Sequence, residues 1–78
     1  MIKVFEGYRP SPPPEYLSKG LTNSGEKPDY EGVVFSTGVV AIKWLTQYNS
    51  ITIYNSWDDF WNITGHPDYG TRIEWISK

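Results

Sequence analysis

The chain has 78 residues, with seven lysines and arginines against nine aspartates and glutamates, and no cysteine. This length suits one domain over residues 1–78, and the lack of cysteine excludes a disulfide framework or a thiolate metal site. The formal net charge of −2 argues against a broad basic face for nucleic acid, and no apolar run has the length of a signal peptide or membrane span. We therefore expect a small cytoplasmic protein that does not associate with membranes.

Residues 1–30 predict an N-terminal strand, a proline-rich segment and a loop. Alternation of side chains over 2–8 predicts the strand. Pro14 at a first helical position, Glu15 in the first turn and Gly20 as a stop predict a short helix over 14–19. Residues 20–30 collect Gly, Thr, Asn, Ser, Pro and Asp, which is typical of a loop.

Residues 31–78 predict the sheet and helix of the domain. The stretch 31–46 reads as a hairpin bent at Ser36-Thr37-Gly38, where glycine suits a positive φ. Predicted strands cover 32–36, 39–46, 50–54 and 71–76. Ser56 as N-cap, acidic residues in the first turn and Gly65 as a stop predict a helix over 56–64. The fold class is therefore α+β: a small antiparallel sheet in the order β-β-β-α-β, with a further N-terminal strand and the helix packed on one face.

Alternation along the strands predicts which side chains form the core. The helix should face the sheet with Trp57, Phe60, Trp61 and Thr64. The sheet face beneath it should carry Val40, Ile42, Trp44, Ile51, Ile53, Ile73 and Trp75, with both tryptophans buried. The opposite face should carry Val39, Ala41, Lys43, Leu45, Thr52, Tyr54, Arg72, Glu74 and Ile76. That second face is too apolar to stay fully solvated, so we expect it to be covered.

Three occupants could cover the second face. The first is the N-terminal segment, with Phe5, Tyr8, Tyr16 and Leu17. The second is another copy of the chain in a homodimer. The third is a foreign protein, since large apolar patches of soluble proteins often mark interaction sites.

Several motifs of the second part of the chain resemble those of a group of small proteins from bacteria and their phages. They are Gly-Val-Val-Phe-Ser-Thr-Gly, Trp-Leu-Thr, Ser-Ile-Thr-Ile-Tyr-Asn-Ser, Gly-His and Thr-Arg-Ile-Glu-Trp, within residues 32–76. The chain departs from the group at Thr37, where an aspartate is expected, at Lys43, where an arginine is expected, and at Thr64, where a first histidine is expected. The resemblance implies the fold and a bacterial or phage origin, and it implies no particular activity.

The titratable side chains do not form a recognisable catalytic or metal motif. Asp58, Asp59, His66 and Asp68 are metal-type ligands, but their spacing matches no standard site and helix capping explains the two adjacent aspartates. Nothing resembles a nucleophile elbow, an oxyanion loop or a phosphate-binding glycine motif. We therefore expect no enzyme, no catalytic residue, no metal and no cofactor.

Pro13-Pro14-Glu15-Tyr16 matches the Pro-Pro-x-Tyr ligands that WW domains bind. The same residues are explained by a rigid spacer that leads into a helix.

Two classes of function remain. The first is a phage or bacterial regulator or inhibitor that acts by protein–protein contact, with a host or bacterial protein as partner. The alternative is a module that binds a nucleotide or single-stranded nucleic acid. Its aromatic side chains would stack on the bases, and Lys43 and Arg72 would contact the phosphates.

The turn at residues 65–70 contains histidine, aspartate and tyrosine, side chains that often contact partners from a loop on a rigid scaffold. The candidate partner-binding residues are His66, Asp68, Tyr69, Arg72, Lys43 and Tyr54.

Overall fold

The computed structural model describes residues 2–23, 25–47 and 50–76. Its elements are β1 (Lys3–Tyr8), α1 (Pro14–Ser18), β2 (Tyr30–Val34), β3 (Val40–Trp44), β4 (Ile51–Tyr54), α2 (Trp57–Phe60) and β5 (Arg72–Ile76). The five strands form one antiparallel sheet in the order β4-β3-β2-β1-β5. The predicted α+β class is therefore confirmed.

β1 lies inside the sheet, between β2 and β5. It pairs with β2 from Lys3 opposite Val34 and with β5 from Val4 opposite Ile76. The N-terminal strand was predicted, but its central place was not. Residues before 31 thus supply a central strand and two rings of the core, those of Phe5 and Tyr30.

The β2–β3 hairpin bends where the sequence predicts it. Gly38 has φ +95°, a left-handed conformation that favours glycine. The Gly38 amide donates to the Phe35 carbonyl at 2.9 Å, and the Phe35 amide donates to the Val39 carbonyl at 2.8 Å. These bonds close the turn and set the register of the central strands.

One helical segment packs on the sheet. The Asp59 amide donates to the Ser56 hydroxyl at 3.1 Å, which confirms the predicted N-cap of α2. The chain continues from α2 as a π-helical turn over Trp61–Gly65. Phe60 and Thr64 are buried as predicted, whereas Ile63 is 65% exposed. The predicted α1 is also present, with proline in its first turn.

The core lies between the sheet and this helical segment. It consists of Phe5, Tyr30, Val40, Ile42, Tyr54 and Phe60. Phe60 is its centre, with ring centroids 5.6 Å from Phe5, 5.9 Å from Tyr30 and 5.5 Å from Tyr54. Edge-on and tilted aromatic pairs of this kind fill the core of a small domain with few side chains.

The predicted faces of β4 are inverted. Val40 lies opposite Tyr54 and Ile42 opposite Thr52, so Tyr54 and Thr52 share the core face while Ile51 and Ile53 point to the other side. In the strand Ile-Thr-Ile-Tyr, either the two isoleucines or the threonine and tyrosine could face the core, because a one-residue shift in register exchanges the two faces. The face with Tyr54 points to the core because the Tyr54 ring packs on Phe60 and its hydroxyl forms a hydrogen bond with Thr64.

The expected full burial of the two strand tryptophans is also wrong. Both lie on the core face, but Trp75 is 51% exposed and Trp44 is half-buried. Trp75 sits on β5, an outer strand, where Trp57 and Phe5 cover one side of its ring at centroid distances of 5.2 and 5.4 Å. An edge strand has neighbours on one side, which leaves the indole partly solvated.

Candidate functional site

The side of the sheet that faces away from α2, which we call the open face, carries an unbroken line of apolar side chains. Residues that pair directly across an antiparallel ladder share a face. The pairs Ile53 with Ala41, Ala41 with Val33, Val33 with Val4 and Val4 with Ile76 cross all five strands. We call Ile53, Ala41, Val33, Val4 and Ile76 the apolar row.

The apolar row is solvent-exposed at both ends. Ile53 is 67% exposed, Ile76 38% and Val4 36%, while Ala41 and Val33 are half-buried. Around Val33 and Ala41 the face forms a shallow depression. With neighbouring strands ~4.8 Å apart, the row is ~19 Å long. An exposed apolar line of this length on a small domain is typical of a contact surface.

The N-terminal segment does not supply the expected cover for this face. Phe5 points into the core, and Tyr16 packs edge-on against Tyr69 at a centroid distance of 5.6 Å. Leu17 is 48% exposed on α1. Of the four side chains considered, Tyr8 lies on the open face, where it pairs with Arg72 across the ladder.

A second line of side chains runs beside the apolar row, two residues away from it on each strand. The register places Ile51, Lys43, Glu31, Glu6 and Glu74 in this order from β4 to β5, and we call them the charged row. Three carboxylates thus stand side by side on β2, β1 and β5. Rows two residues apart along a strand are ~7 Å from each other. The open face is therefore apolar along one line and predominantly acidic along the next.

Arg72 is held at the β5 end of this face by two contacts. Its Nε lies 2.7 Å from Oε2 of Glu74, and its guanidinium stacks over the Tyr8 ring at 4.4 Å. The Tyr8 hydroxyl in turn donates to Oε1 of Glu6 at 3.1 Å. Arg72 is thus already engaged by a carboxylate and a ring.

Lys43 and Arg72 both lie on the open face, as predicted, but the structure does not bring them together. Lys43 belongs to β3 and Arg72 to β5, so two strands separate them and the distance across the sheet is ~14 Å. Tyr54, the third strand residue among the candidates, is 7% exposed in the core. Its predicted place on the second face is wrong, and its hydroxyl is bonded within the fold.

The other three candidates form the turn after the π-helical segment. The His66 ring stacks flat on the Tyr69 ring, at a centroid distance of 4.3 Å and an angle of 2°. His66 Nδ1 lies 3.6 Å from Oδ1 of Asp68, whose side chain is largely exposed. His66 has φ +47°, and its carbonyl accepts from the Thr71 hydroxyl at 2.7 Å, which fixes this left-handed exit.

Tyr69 also belongs to the architecture of the domain. Its hydroxyl donates to the Tyr16 hydroxyl at 3.3 Å, and this hydrogen bond raises the pKa of Tyr69. Its carbonyl accepts from the Ser11 amide at 2.9 Å. The turn is therefore tied to the proline-rich segment and α1.

Arg9, which no sequence motif singles out, lies against the Tyr69 ring of this turn. It is 5% exposed, and its guanidinium sits 5.0 Å from the Trp44 ring, 5.4 Å from Tyr69 and 5.7 Å from Tyr30. One of its terminal nitrogens donates to the Thr64 carbonyl. An arginine surrounded by ring faces is stabilised by cation–π attraction, so Arg9 joins the N-terminal segment to the sheet and the helical segment.

Most of the apolar and charged rows were likewise not predicted from the sequence. Val4, Val33, Glu6 and Glu31 became neighbours only through the pairing of β1 with β2. Their alternation within each strand was visible, but the strand beside which β1 lies was not.

Neither a metal site nor a membrane span is found in the parts of the chain that the structure describes. No group of three or more His, Asp or Glu side chains within 2–23, 25–47 and 50–76 is placed to hold a metal ion. Across these same residues, no helix has the length and apolar character needed to cross a bilayer.

Comparison with known proteins places the chain in a family. Residues 24–77, which are 54 of the 78 residues, match the family model described as Acb5 phage protein. The match covers β2 to β5 and α2, together with the segment 32–76 that carries the sequence resemblance. No curated protein and no solved structure matches the chain. Because the family model matches more than half of the chain, the protein belongs to the Acb5 phage protein family.

Proposed function

We propose that this phage protein is an inhibitor of bacterial defence, of the anti-CBASS type, and that it acts by binding a bacterial protein through its open face. The family membership supports the phage origin. The observation that carries the binding mode is the apolar row, with Ile53 67% exposed at one end and Ile76 38% exposed at the other.

The energetics favour a protein as the occupant of this face. Burying one large aliphatic side chain is worth about 1.5–3 kcal/mol, so covering the isoleucines and valines of the row would stabilise a complex substantially. The row is continuous across five strands, which suits a broad protein surface. The same side chains offer no hydrogen-bonding group for a small polar ligand.

Three observations count against nucleotide binding on this face. The two cations considered for phosphate contact, Lys43 and Arg72, are ~14 Å apart across the sheet. Arg72 is also paired with Glu74. Glu6 and Glu31 stand between the two cations and would repel a phosphate.

The proposal is tested by expressing the protein in bacteria that carry a CBASS-type defence system and measuring how well a sensitive phage plates. Wild type should restore plating. Ile53→Asp, which puts a charge into the apolar row, should lower the restored plating by about tenfold or more, because a buried unpaired charge is costly at an interface.

Ile63→Asp is the matched control. Ile63 is 65% exposed, almost the same as Ile53, but it lies in the helical segment on the other side of the sheet. It should restore plating as wild type does, and thermal melts should show both variants folded. Equal plating by the two variants would contradict the open face as the contact. A loss seen instead for Lys43→Gln together with Arg72→Gln, with nucleotide binding in solution, would favour the nucleotide alternative.

A further inference from the structure

The three carboxylates of the charged row are direct cross-strand neighbours. Glu6 pairs with Glu31 on one side and with Glu74 on the other. Like charges placed opposite each other in a ladder destabilise a sheet. Arg72 pairs with Glu74 and the Tyr8 hydroxyl donates to Glu6. Glu31 lies across the ladder from Lys43 but forms no ion pair with it or with any other described residue. The folded chain by itself therefore leaves negative charge concentrated beside the apolar row.

This charge has a fixed position relative to the apolar row. The three carboxylates span two strand spacings, or ~10 Å, and their row runs ~7 Å from the apolar one. A complementary surface would need an apolar ridge up to ~19 Å long with positive charges along one side, at the β2, β1 and β5 end. Lys43 follows Glu31 in the other direction along the row, and a positive charge on the partner would be repelled there.

We propose, on the basis of the function proposed above, that the partner presents arginine or lysine side chains to Glu31, Glu6 and Glu74 while its apolar ridge covers the apolar row. Carboxylates that are brought together before binding are relieved of mutual repulsion by a cationic partner. Charge complementarity of this kind selects partners and speeds their encounter.

A second copy of the chain does not fit this requirement. Among the described residues, the cations of the open face are Lys43 and Arg72, and Arg72 is already paired with Glu74. Apart from this pair, a second copy would thus bring two carboxylates, Glu6 and Glu31, against one cation, Lys43. A nucleic-acid strand fits no better, because its phosphates would meet the same carboxylates.

A synthetic peptide provides a direct probe. A helix of about 13 residues spans ~19 Å, so a leucine–lysine amphipathic peptide of this length imitates the partner, and the same peptide with glutamate for lysine is its counterpart. Wild-type protein should bind the lysine peptide, with an affinity that falls as salt rises, and should not bind the glutamate peptide.

Two triple variants separate this site from the general negative charge of the protein. Glu6→Gln with Glu31→Gln and Glu74→Gln should weaken binding of the lysine peptide by about tenfold or more. Glu15→Gln with Glu26→Gln and Asp58→Asn removes the same charge from exposed positions outside the strands and should leave binding within about twofold of wild type. Equal effects of the two triples would overturn the inference. So would tight binding of the glutamate peptide.

The plating assay distinguishes failure of this inference from failure of the proposed function. If Ile53→Asp abolishes the restored plating and the triple at the charged row leaves it unchanged, the open face is a contact but its partner is not basic. If the charged-row triple also loses plating while it melts like wild type, the inference is supported. If neither variant changes plating, both proposals are wrong.

Discussion

Phe5 lies directly across the β1–β2 ladder from Gly32, and its ring occupies the space that a side chain at position 32 would need. A Cβ built on Gly32 would lie 2.3 Å from Cζ of Phe5. The same arrangement recurs one pair along, where a Cβ on Gly7 would lie 2.1 Å from the Tyr30 ring. The two largest fully buried side chains, those of Tyr30 and Phe5, thus lie over glycines.

We therefore predict that Gly32→Ala destabilises the domain although its backbone φ is not in the left-handed region. Phe5 is fully buried, so its ring cannot move away without displacing Phe60 and Trp57. Overpacking of this kind costs about 1–3 kcal/mol, which for a small domain lowers the melting temperature by about 5–20 °C. Urea unfolding of Gly32→Ala, Phe5→Leu and the double variant measures the coupling between the two positions. Additive effects would show that ring and glycine do not interact.

Tyr30 gives a prediction for alkaline pH. Burial is the main reason that its pKa is raised to about 12, from an ordinary value of 10.0. Between these values the unfolded chain releases this proton and the folded chain keeps it, so the free energy of unfolding falls as pH rises. The loss should reach about 2 kcal/mol at pH 12, and Tyr30→Phe should remove this part of the fall in the free energy of unfolding. Unfolding curves at pH 9, 10 and 11 test this, and identical slopes for the two proteins would contradict it.

Tyr30→Phe should also be tolerated at neutral pH. The Tyr30 hydroxyl is buried without a hydrogen-bond partner among the described residues. Removing an unsatisfied buried hydroxyl is close to neutral or stabilising, so we expect a free energy of unfolding within about 1 kcal/mol of wild type or above it. A larger loss at pH 7 would show that the hydroxyl has a partner in solution.

The tryptophan of the edge strand should contribute less than the core phenylalanine. Phe60 is fully buried, and its truncation to alanine should cost about 3–5 kcal/mol. Trp75 is 51% exposed and packs mainly on Trp57 and Phe5, so Trp75→Ala should cost about half as much or less. Chemical denaturation of both variants compares them, and equal losses would mean that β5 is buried more deeply in solution.

In the turn at 66–69, Tyr69 contacts the rest of the domain, whereas His66 contacts mainly the turn itself. Tyr69→Ala removes ring contacts to Arg9, Tyr16 and His66 and should lower stability by about 1–2 kcal/mol. His66→Asn keeps a residue that tolerates a positive φ and removes only one ring contact, the stacking on Tyr69, so it should lower the melting temperature by less than Tyr69→Ala does. The sequence-based prediction that this turn contacts the partner is tested by the same variant. If the turn is part of the contact, His66→Asn lowers capture of the partner by more than its effect on stability explains. Unchanged capture would confine the contact to the open face.

The amino-acid sequence by itself determined the local elements of this protein. The bend at Gly38, the Ser56 N-cap, the Pro14 helix start and the strands after each loop all follow from dihedral preferences and capping groups of a few adjacent residues. Its motifs also indicated a bacterial or phage origin, and the family match supports a phage origin.

Only the tertiary structure decided which faces those elements present. Alternation shows that a strand has two faces, but the phase of β4 depends on pairing with β3, where Tyr54 rather than Ile53 reaches Phe60. The apolar row and the charged row exist because β1 inserts between β2 and β5, strands that begin 27 and 69 residues after it in the chain. Such pairings depend on the free energy of the whole sheet and core, so they cannot be predicted from a short stretch of sequence.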